Sequence, residues 1–301
     1  MGNALRIAFI GFGEVGQLFT RQLAARPDVT LTAWDIQFAG SGGAAMKARA
    51  ADGVTPANDV GEACRGAAVV ISAVTADSAV DAARQAAPHL KPGQLYVDLN
   101  SVSPTTKTRI AEALAPSGCD FVEFAVMAPV AQPGIAVPIL AGGGRAGEIA
   151  GLLNPLGMAI TAVSEEIGVA SATKLCRSIV IKGMEALMVD LGLVGEKTGV
   201  LPAVLASLTA SYPGMDWAQV LKVMPGRVRQ HGVRRAAEMR EVARMLEENG
   251  FDGGLAEAIA RRHETFADPK PKDLTKPADL PKTDAPAAAA STSSRSTADV
   301  A

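Results

Sequence analysis

Short apolar runs alternate with Ala-rich segments over the first half of the chain. The runs contain many β-branched residues and cover residues 6–10, 30–34, 68–74, 95–99, 121–126 and 137–141. Between them, the apolar residues follow the spacing of amphipathic helices. Strands that alternate with helices in this way are typical of an α/β fold, so the pattern predicts a doubly wound, parallel sheet.

From about residue 169 to residue 267, the strand pattern gives way to helical periodicity. Turn residues interrupt this part at 199–202, 212–214, 225–226 and 249–250, and each interruption is expected to end a helix. We therefore predict an α/β domain over residues 1–163 and an all-α domain over residues 164–267. Residues 268–301 contain few large apolar side chains and many Pro, Ala, Ser and Thr residues, which predicts a disordered tail.

The composition of the chain argues against nucleic acids and membranes as partners. The chain has 301 residues, of which 48% are hydrophobic, and its formal net charge is -2. It therefore lacks the basic balance that nucleic acids or anionic membrane surfaces attract. The apolar stretch 179–194 contains three charged residues, so no membrane span is predicted.

The cysteine and histidine content bears on metals and location. The three cysteines are far apart and show no CxxC spacing, which argues against a disulfide framework or a zinc site. Only three histidines are present, which leaves little scope for a histidine-based metal site. No metal is expected, and a reducing cytoplasmic location fits best.

A glycine-rich loop follows the first predicted strand. Its residues are Gly11, Phe12, Gly13, Glu14, Val15 and Gly16, and a helix-like segment comes directly after them. In this context GxGxxG indicates dinucleotide binding on a Rossmann domain. The glycines permit a tight turn, close approach of the backbone to a pyrophosphate and close packing of helix on strand. The alternative is that they only form a strand-to-helix turn.

Asp35 ends the second predicted strand, close to where this fingerprint expects an acidic residue. A carboxylate there would accept a hydrogen bond from the adenosine 2′-hydroxyl and repel a 2′-phosphate. No arginine follows directly, so NAD is favoured over NADP. Alternatively, Asp35 only caps a loop.

Over residues 5–267, the order of motifs resembles the β-hydroxyacid dehydrogenases related to 6-phosphogluconate and 3-hydroxyisobutyrate dehydrogenases. Four segments after the glycine loop carry the resemblance. They are Ser72-Ala73-Val74-Thr75, Asp98-Leu99-Asn100-Ser101, Glu123-Phe124-Ala125-Val126-Met127-Ala128-Pro129 and Gly168-Val169-Ala170-Ser171-Ala172-Thr173-Lys174. The resemblance implies an active site in the cleft between the Rossmann domain and the helical domain.

The resemblance also implies residue roles. Lys174 would be the general base that takes the proton of the substrate hydroxyl. Val74 and Thr75 would lie beside the adenosine ribose, and Asn100 and Ser101 would place nicotinamide or substrate. The remaining substrate contacts would come from Met127, Ala128 and Ser178. Family members usually dimerise through the helical domain, so a homodimer is expected.

The residues around Lys174 support a site independently. Ser171, Lys174, Ser178 and Lys182 form one polar stripe on an otherwise apolar helix, which indicates an adjacent polar cleft. Near the start of the helix, the helix dipole and desolvation would both lower the pKa of Lys174. Lys182 is followed at i+3 by Glu185, so an ion pair and a substrate contact both remain open.

The chain departs from the family pattern at several positions. Ser178 stands where the family usually has asparagine, Met127-Ala128-Pro129 replaces Ser-Gly-Gly, and Ala170 replaces a glycine. These changes argue against 6-phosphogluconate as the substrate and suggest a less polar or differently oriented one.

A second polar cluster lies within residues 227–248. It contains His231, Arg234, Arg235 and Glu238, and we single out His231 and Arg235 as contacts for an acidic substrate. A solvated helix face is the alternative for this cluster.

Taken together, the sequence predicts an NAD-dependent oxidoreductase that transfers hydride between the nicotinamide and a β-hydroxy acid or a related alcohol, with Lys174 as acid and base. The substrate is expected to be a small carboxylate. Two alternatives remain: an enzyme that reduces imines, and a dinucleotide-binding sensor without catalysis.

Overall fold

A computed structural model of the chain describes residues 4–40, 42–47, 50 and 53–268. The strands are β1 (Leu5–Ile10), β2 (Val29–Trp34), β3 (Val54–Pro56), β4 (Val69–Ser72), β5 (Leu95–Asp98), β6 (Asp120–Val126), β7 (Pro138–Gly142) and β8 (Ala159–Ser164). The α-helices are α1 (Glu14–Leu23), α2 (Gly43–Lys47), α3 (Val60–Cys64), α4 (Ala79–Ala86), α5 (Pro104–Leu114), α6 (Ala146–Leu153), α7 (Val169–Thr198), α8 (Leu201–Ser211), α9 (Trp217–Glu248) and α10 (Gly254–Phe266). The predicted tail lies outside the described residues from residue 269 onward.

The strands form one eight-stranded sheet in the order β3-β2-β1-β4-β5-β6-β7-β8. The first six positions match the doubly wound order of dinucleotide-binding domains. The chain reverses direction of winding between β1 and β4, which places a crevice at the carboxyl ends of these two strands. This is where the glycine loop begins.

The pair β6 and β7 is the antiparallel exception in this sheet. The sequence pattern predicted parallel strands throughout. Residues 127–137 connect the two strands without an α-helix, and a connection of that kind suits an antiparallel neighbour better than a parallel crossover. Strands β3 and β8 were not among the predicted runs.

The sheet is buried on both faces. One apolar cluster packs α1 and α6 against it and includes Phe9, Phe19 and Phe124. The cluster on the opposite face packs α4 and α5 and includes Ile10 and Tyr96. Burial on both faces explains why β1, β4 and β5 are almost continuously apolar in sequence.

The helical region packs α7, α9 and α10 together around a third apolar cluster. Its buried members include Leu175 on α7, Met239 on α9 and Ile259 on α10. The predicted break at residues 225–226 is wrong, because α9 runs through Pro225. A proline in a helix removes one backbone hydrogen bond, at a cost of about 3 kcal/mol. The long buried face of α9 offsets that cost. None of the helices described by the structure is long and apolar enough to cross a membrane.

Candidate cofactor and proton-transfer site

The glycine loop forms a tightly packed turn between β1 and α1. Gly11 has φ +97°, and a Cβ atom there would lie 2.3 Å from the carbonyl oxygen of Ala73. A Cβ on Gly16 would lie 2.3 Å from the carbonyl oxygen of Gly11. Both contacts are far below van der Waals distance, so a side chain at either position would force the turn apart.

Gly13 faces open space instead. A Cβ atom there would meet no heavy atom of the described residues within 4 Å. Gly13 is also the N-cap of α1, and no side chain of the described residues caps this helix end. Free N–H groups beside an open space, at the positive end of a helix, suit a pyrophosphate. The residues of this loop therefore fit the dinucleotide that its sequence predicts.

Asp35 lies beside the same loop. Its Oδ2 accepts a hydrogen bond of 2.7 Å from the Phe12 amide, and its Oδ1 accepts one of 2.9 Å from the Gln37 amide. The carboxylate is thus held at the carboxyl end of β2, half-buried, with lone pairs left for a ribose hydroxyl. The bond from Gln37 also makes Asp35 the cap of the short turn Ile36–Ala39, which is the loop-capping alternative considered for this residue.

Residues after β4 form the other wall of the crevice. A Cβ on Gly11 would lie 3.0 Å from Cγ1 of Val74, so Val74 is packed close to the glycine turn. Thr75 follows, and its hydroxyl lies 2.9 Å from that of Ser78. Of the two predicted ribose residues, Val74 thus packs against the loop.

A fully buried ion pair organises the next loop, after β5. Nζ of Lys107 lies 2.6 Å from Oδ2 of Asp98, and both side chains are 0% exposed. The same ammonium donates to the carbonyl oxygens of Asp98 and Asn100 at 3.0 and 2.9 Å. The Asn100 amide donates in turn to Ser72 at 3.1 Å. Lys107 therefore fixes the loop that carries Asn100 and Ser101.

Glu123 on β6 determines where α7 begins. Its buried carboxylate accepts hydrogen bonds from the amides of Gly168, Ala170 and Ser171, at 2.7, 3.0 and 3.3 Å. A carboxylate at a helix N-terminus is favourable because it meets the positive end of the helix dipole. It fixes the first turn of α7, one turn before Lys174.

Lys174 lies where α7 meets the loop after β5. Its Nζ donates to Oγ of Ser101, which is its hydrogen-bond partner among the described residues. The pKa of Lys174 is lowered to about 8: desolvation is the largest cause, Glu238 opposes it, and the cations Lys182, Lys107 and Arg234 add to it. Of the two causes expected from the sequence, desolvation acts on Lys174, whereas Glu123 already occupies the positive end of the helix. Such a lysine can both accept and donate a proton near neutral pH.

A group of charges centred on the largely buried Glu238 acts on Lys174. Nζ of Lys182 is 2.7 Å from Oε2 of Glu238 on α9 and 2.9 Å from Oγ of Ser178. The other carboxylate oxygen of Glu238 is 3.1 Å from Nη1 of Arg234. Burial raises the pKa of Glu238, but Lys182, Lys174 and Arg234 outweigh it and lower this pKa to about 2. The hydroxyl of Ser178, a predicted substrate contact, thus accepts a hydrogen bond from Lys182.

The local ion pair considered for Lys182 and Glu185 does not form. Glu185, which is 0% exposed, instead pairs with Arg235 on α9, because helix packing turns it towards that helix. His263 on α10 lies behind them, with Nε2 3.2 Å from the carbonyl oxygen of Lys182. Burial and then Arg235 lower the pKa of His263 to about 4. Arg235 therefore already has an anionic partner within the helical region.

The remaining predicted site residues are His231 on α9 and Met127 and Ala128 after β6. Burial lowers the pKa of His231, as do Arg234 and Arg235, and Glu14 of the glycine loop acts in the opposite direction. Met127 and Ala128 follow β6, where the carbonyl oxygen of Met127 accepts a 3.4 Å hydrogen bond from Arg177. Ala128 is exposed.

Three buried charges that shape this region were missed in the sequence. Lys107 falls at helical spacing with Ile110 and Leu114, so a cation on an apolar helix face was a usable signal. Glu123 was another, because it is a charge inside an apolar strand. Glu241 on α9 accepts a 2.8 Å hydrogen bond from the amide of Ser103, 138 residues away, and no local pattern predicts that contact.

Comparison with known proteins agrees with this geometry. Residues 6–164 match the model of the NAD binding domain of 6-phosphogluconate dehydrogenase, and residues 196–266 match a domain of unknown function, DUF1932. A conserved hypothetical protein from Sinorhizobium meliloti 1021 is 41% identical, with a TM-score of 0.76 over 86% of this chain and 87% of that one.

A second solved structure is the conserved protein MTH1747 of unknown function, described as structurally similar to 3-hydroxyacid dehydrogenases. It is 31% identical, with a TM-score of 0.72 over 87% of this chain and 96% of that one.

More distant structures share the fold. The 3-hydroxyisobutyrate dehydrogenase of Mycobacterium tuberculosis is 18% identical, with a TM-score of 0.70 over 87% of this chain and 94% of that one. An imine reductase from Myxococcus stipitatus, in complex with NADP+, is 20% identical with a TM-score of 0.53 over 86% and 93%. The chain thus has the fold of the 3-hydroxyacid dehydrogenases, and it belongs to the family defined by the NAD binding domain of 6-phosphogluconate dehydrogenase.

Proposed function

We propose that this protein is an NAD-dependent dehydrogenase that interconverts the hydroxyl group of a small hydroxy acid and the corresponding carbonyl. The contact between Lys174 and Ser101 carries the proposal. It joins a lysine whose pKa is lowered to about 8 to the loop at the carboxyl edge of the sheet, beside the dinucleotide crevice. A proton-transfer group at that place suits alcohol oxidation.

In this proposal, residues 1–163 bind the cofactor and residues 164–267 complete the site. NAD, when bound, supplies the hydride acceptor. Lys174 takes the proton of the substrate hydroxyl during oxidation and returns it during reduction. Asn100 and Ser101 orient the reacting groups, because Lys107 holds their loop rigidly. Met127 and Ala128 form the substrate wall after β6.

The charges around Lys174 favour an anionic substrate. Lys182 of α7, Lys107 of α5 and Arg234 of α9 each lower the pKa of this lysine, whereas Glu238 raises it. We assign the contact with the substrate carboxylate to the face of α9 that carries His231 and Arg234. Ser178 and Arg235 support this face through Lys182 and Glu185.

The experiment is an initial-rate assay of NAD+ reduction with a series of short hydroxy acids, run beside a reductive assay with NADH and cyclic imines. Turnover of hydroxy acids supports the dehydrogenase. Turnover of imines alone would select imine reduction, which the fold likeness to imine reductases makes the second candidate. Cofactor binding without turnover of either class would select the sensor.

Asp35 is expected to set the preference for NADH over NADPH. Replacing Asp35 by serine removes the carboxylate that repels a 2′-phosphate, while a hydroxyl can still accept from the Phe12 amide. A charge-assisted hydrogen bond contributes about 1.5–3 kcal/mol, so we expect the Kd for NADH to rise about 10- to 100-fold. Fluorescence titration with both cofactors measures the change. An unaltered ratio of the two Kd values would remove the role given to Asp35.

We also propose that two copies associate through α7 and α8. Val180, Leu187 and Val194 are 64%, 66% and 60% exposed, and they repeat every seven residues along α7. A seven-residue apolar repeat is the pattern that packs against another helix. Helix α8 is also apolar, yet none of its residues is buried within the described part of the chain. The surface beside the α7 repeat is therefore exposed as well.

The double variant Leu187→Glu and Val194→Glu is expected to halve the mass in solution, because it places charges in this seam. Light scattering coupled to size-exclusion chromatography measures that mass. The charge substitution Glu196→Lys on the same helix is the control and should leave the mass unchanged. A wild-type protein that runs as a monomer at micromolar concentration would contradict the association.

A further inference from the structure

The two lysines of the polar stripe on α7 have different partners. The partner of Lys174 is the neutral hydroxyl of Ser101. Lys182, two turns further along, is only 5% exposed and forms an ion pair with Glu238 in addition to its hydrogen bond to Ser178. A buried ammonium with a carboxylate partner is held in its charged form, whereas a hydroxyl partner accommodates both forms of an amine.

Glu238 connects this helix to α9. Its two carboxylate oxygens contact Lys182 at 2.7 Å and Arg234 at 3.1 Å, and the carboxylate is largely buried. One anion thus orders two cations from different helices beside Lys174. The match to DUF1932 includes Glu238 and assigns it no role.

We propose that Glu238 is a positioning residue that gives the two lysines separate roles: its carboxylate holds Lys182 and Arg234 in place, and Lys174 is left to exchange its proton. The proposal rests on the proposed function, in which Lys174 transfers the proton. It also gives α9 a role in the chemistry without contact with the reacting atoms.

The sign of each electrostatic influence on Lys174 follows from its neighbours. The charged groups that act on it are Lys182 of its own helix, Lys107 of α5, and Glu238 and Arg234 of α9. Removing Glu238 takes away the group that favours the ammonium form of Lys174, so the pKa of Lys174 should fall, while Lys107 keeps its own partner Asp98. Removing Lys182 has the opposite effect, because it leaves Glu238 to stabilise the ammonium.

The experiment is an NMR titration of the full chain labelled with 13C at lysine Cε, with the Lys174 resonance assigned by its loss in Lys174→Arg. We expect the midpoint of Lys174 to fall by about one pH unit or more in Glu238→Gln, and to rise by a similar amount in Lys182→Met. Shifts of opposite sign would not arise from a structural role, since general loosening would move both midpoints in the same direction.

Glu185→Gln is the matched control. It also breaks a buried ion pair between α7 and α9, but its partner is Arg235, and we expect the Lys174 midpoint to stay within about 0.3 pH units of wild type. Shifts in the same direction, or no shift in either test variant, would overturn the proposal. Should Glu238→Gln fail to fold, Lys182→Met and Glu238→Asp decide it, because Glu238→Asp keeps the anion and should restore most of the wild-type midpoint.

The titration needs no substrate, so its outcome is separate from turnover. Opposite shifts in a protein that oxidises no hydroxy acid would reject the proposed function and retain the electrostatic role of Glu238. Turnover that depends on Lys174, with no shifts in the variants, would reject the role of Glu238 alone.

Discussion

Replacing Lys174 by methionine is expected to lower kcat/KM for hydroxy-acid oxidation by about 10²- to 10⁴-fold, the range that a general acid or base contributes. Methionine fills a similar volume but carries no proton, and it leaves Ser101 without its partner. Binding of NADH should change little, because Lys174 lies outside the glycine loop. Steady-state kinetics and cofactor titration together test both parts of this expectation.

The pH dependence of kcat/KM in the wild-type protein tests the same role of Lys174. Oxidation needs the neutral amine, so kcat/KM for oxidation should rise with pH through about 8, where Lys174 loses its proton. Reduction needs the ammonium and should decline over the same range. Lys174→Arg is the control, because it keeps the positive charge and cannot act as a base. Retention of more than about a third of wild-type kcat/KM in either variant would contradict proton transfer by this residue.

Replacing Lys107 by methionine is expected to produce the largest loss of stability, about 3–5 kcal/mol in the free energy of unfolding. The substitution leaves the carboxylate of Asp98 buried without its cation, since both side chains are fully buried. It also removes the donor to the carbonyl oxygens of Asp98 and Asn100. A loss of this size is a large fraction of the stability of an ordinary domain. Denaturation by urea, followed by circular dichroism, measures it.

Two further variants isolate the cause. The double variant Asp98→Asn and Lys107→Met removes both charges, so it should regain part of the stability lost in the single variant. Arg84→Ala breaks an exposed ion pair with Asp81 and should change stability by about 1 kcal/mol at most. If Lys107→Met loses no more than Arg84→Ala, the buried pair does not organise the loop as described.

Sequence reasoning succeeded where the signal is local. The glycine loop, the strand before it and the helix after it lie within about twenty residues, and the close contact that requires glycine at position 16 is with Gly11 of the same segment. The start of α7 was similarly readable, because the spacing of Ser171, Lys174, Ser178 and Lys182 fixes a common face. The Rossmann fold and the helical second part are confirmed for the same reason.

The rest depends on contacts that no local pattern encodes. Strand β3 is three residues long, and β8 lies at the sheet edge with most residues exposed, so neither shows a clear apolar run. The pairing of Lys182 with Glu238, in place of its near neighbour Glu185, follows from how α7 and α9 pack. The hydrogen bond from the Ser103 amide to Glu241 likewise joins residues that are 138 positions apart in sequence.

The measurement that tests the central claim most directly is a titration of the wild-type protein with NADH and with NADPH, followed by nicotinamide fluorescence. Saturable binding of NADH, with weaker binding of NADPH, is the result that the open space at Gly13 and the carboxylate of Asp35 predict. Tighter binding of NADPH would overturn the role of Asp35. Binding of neither cofactor would contradict the proposal that the glycine loop binds a nicotinamide dinucleotide.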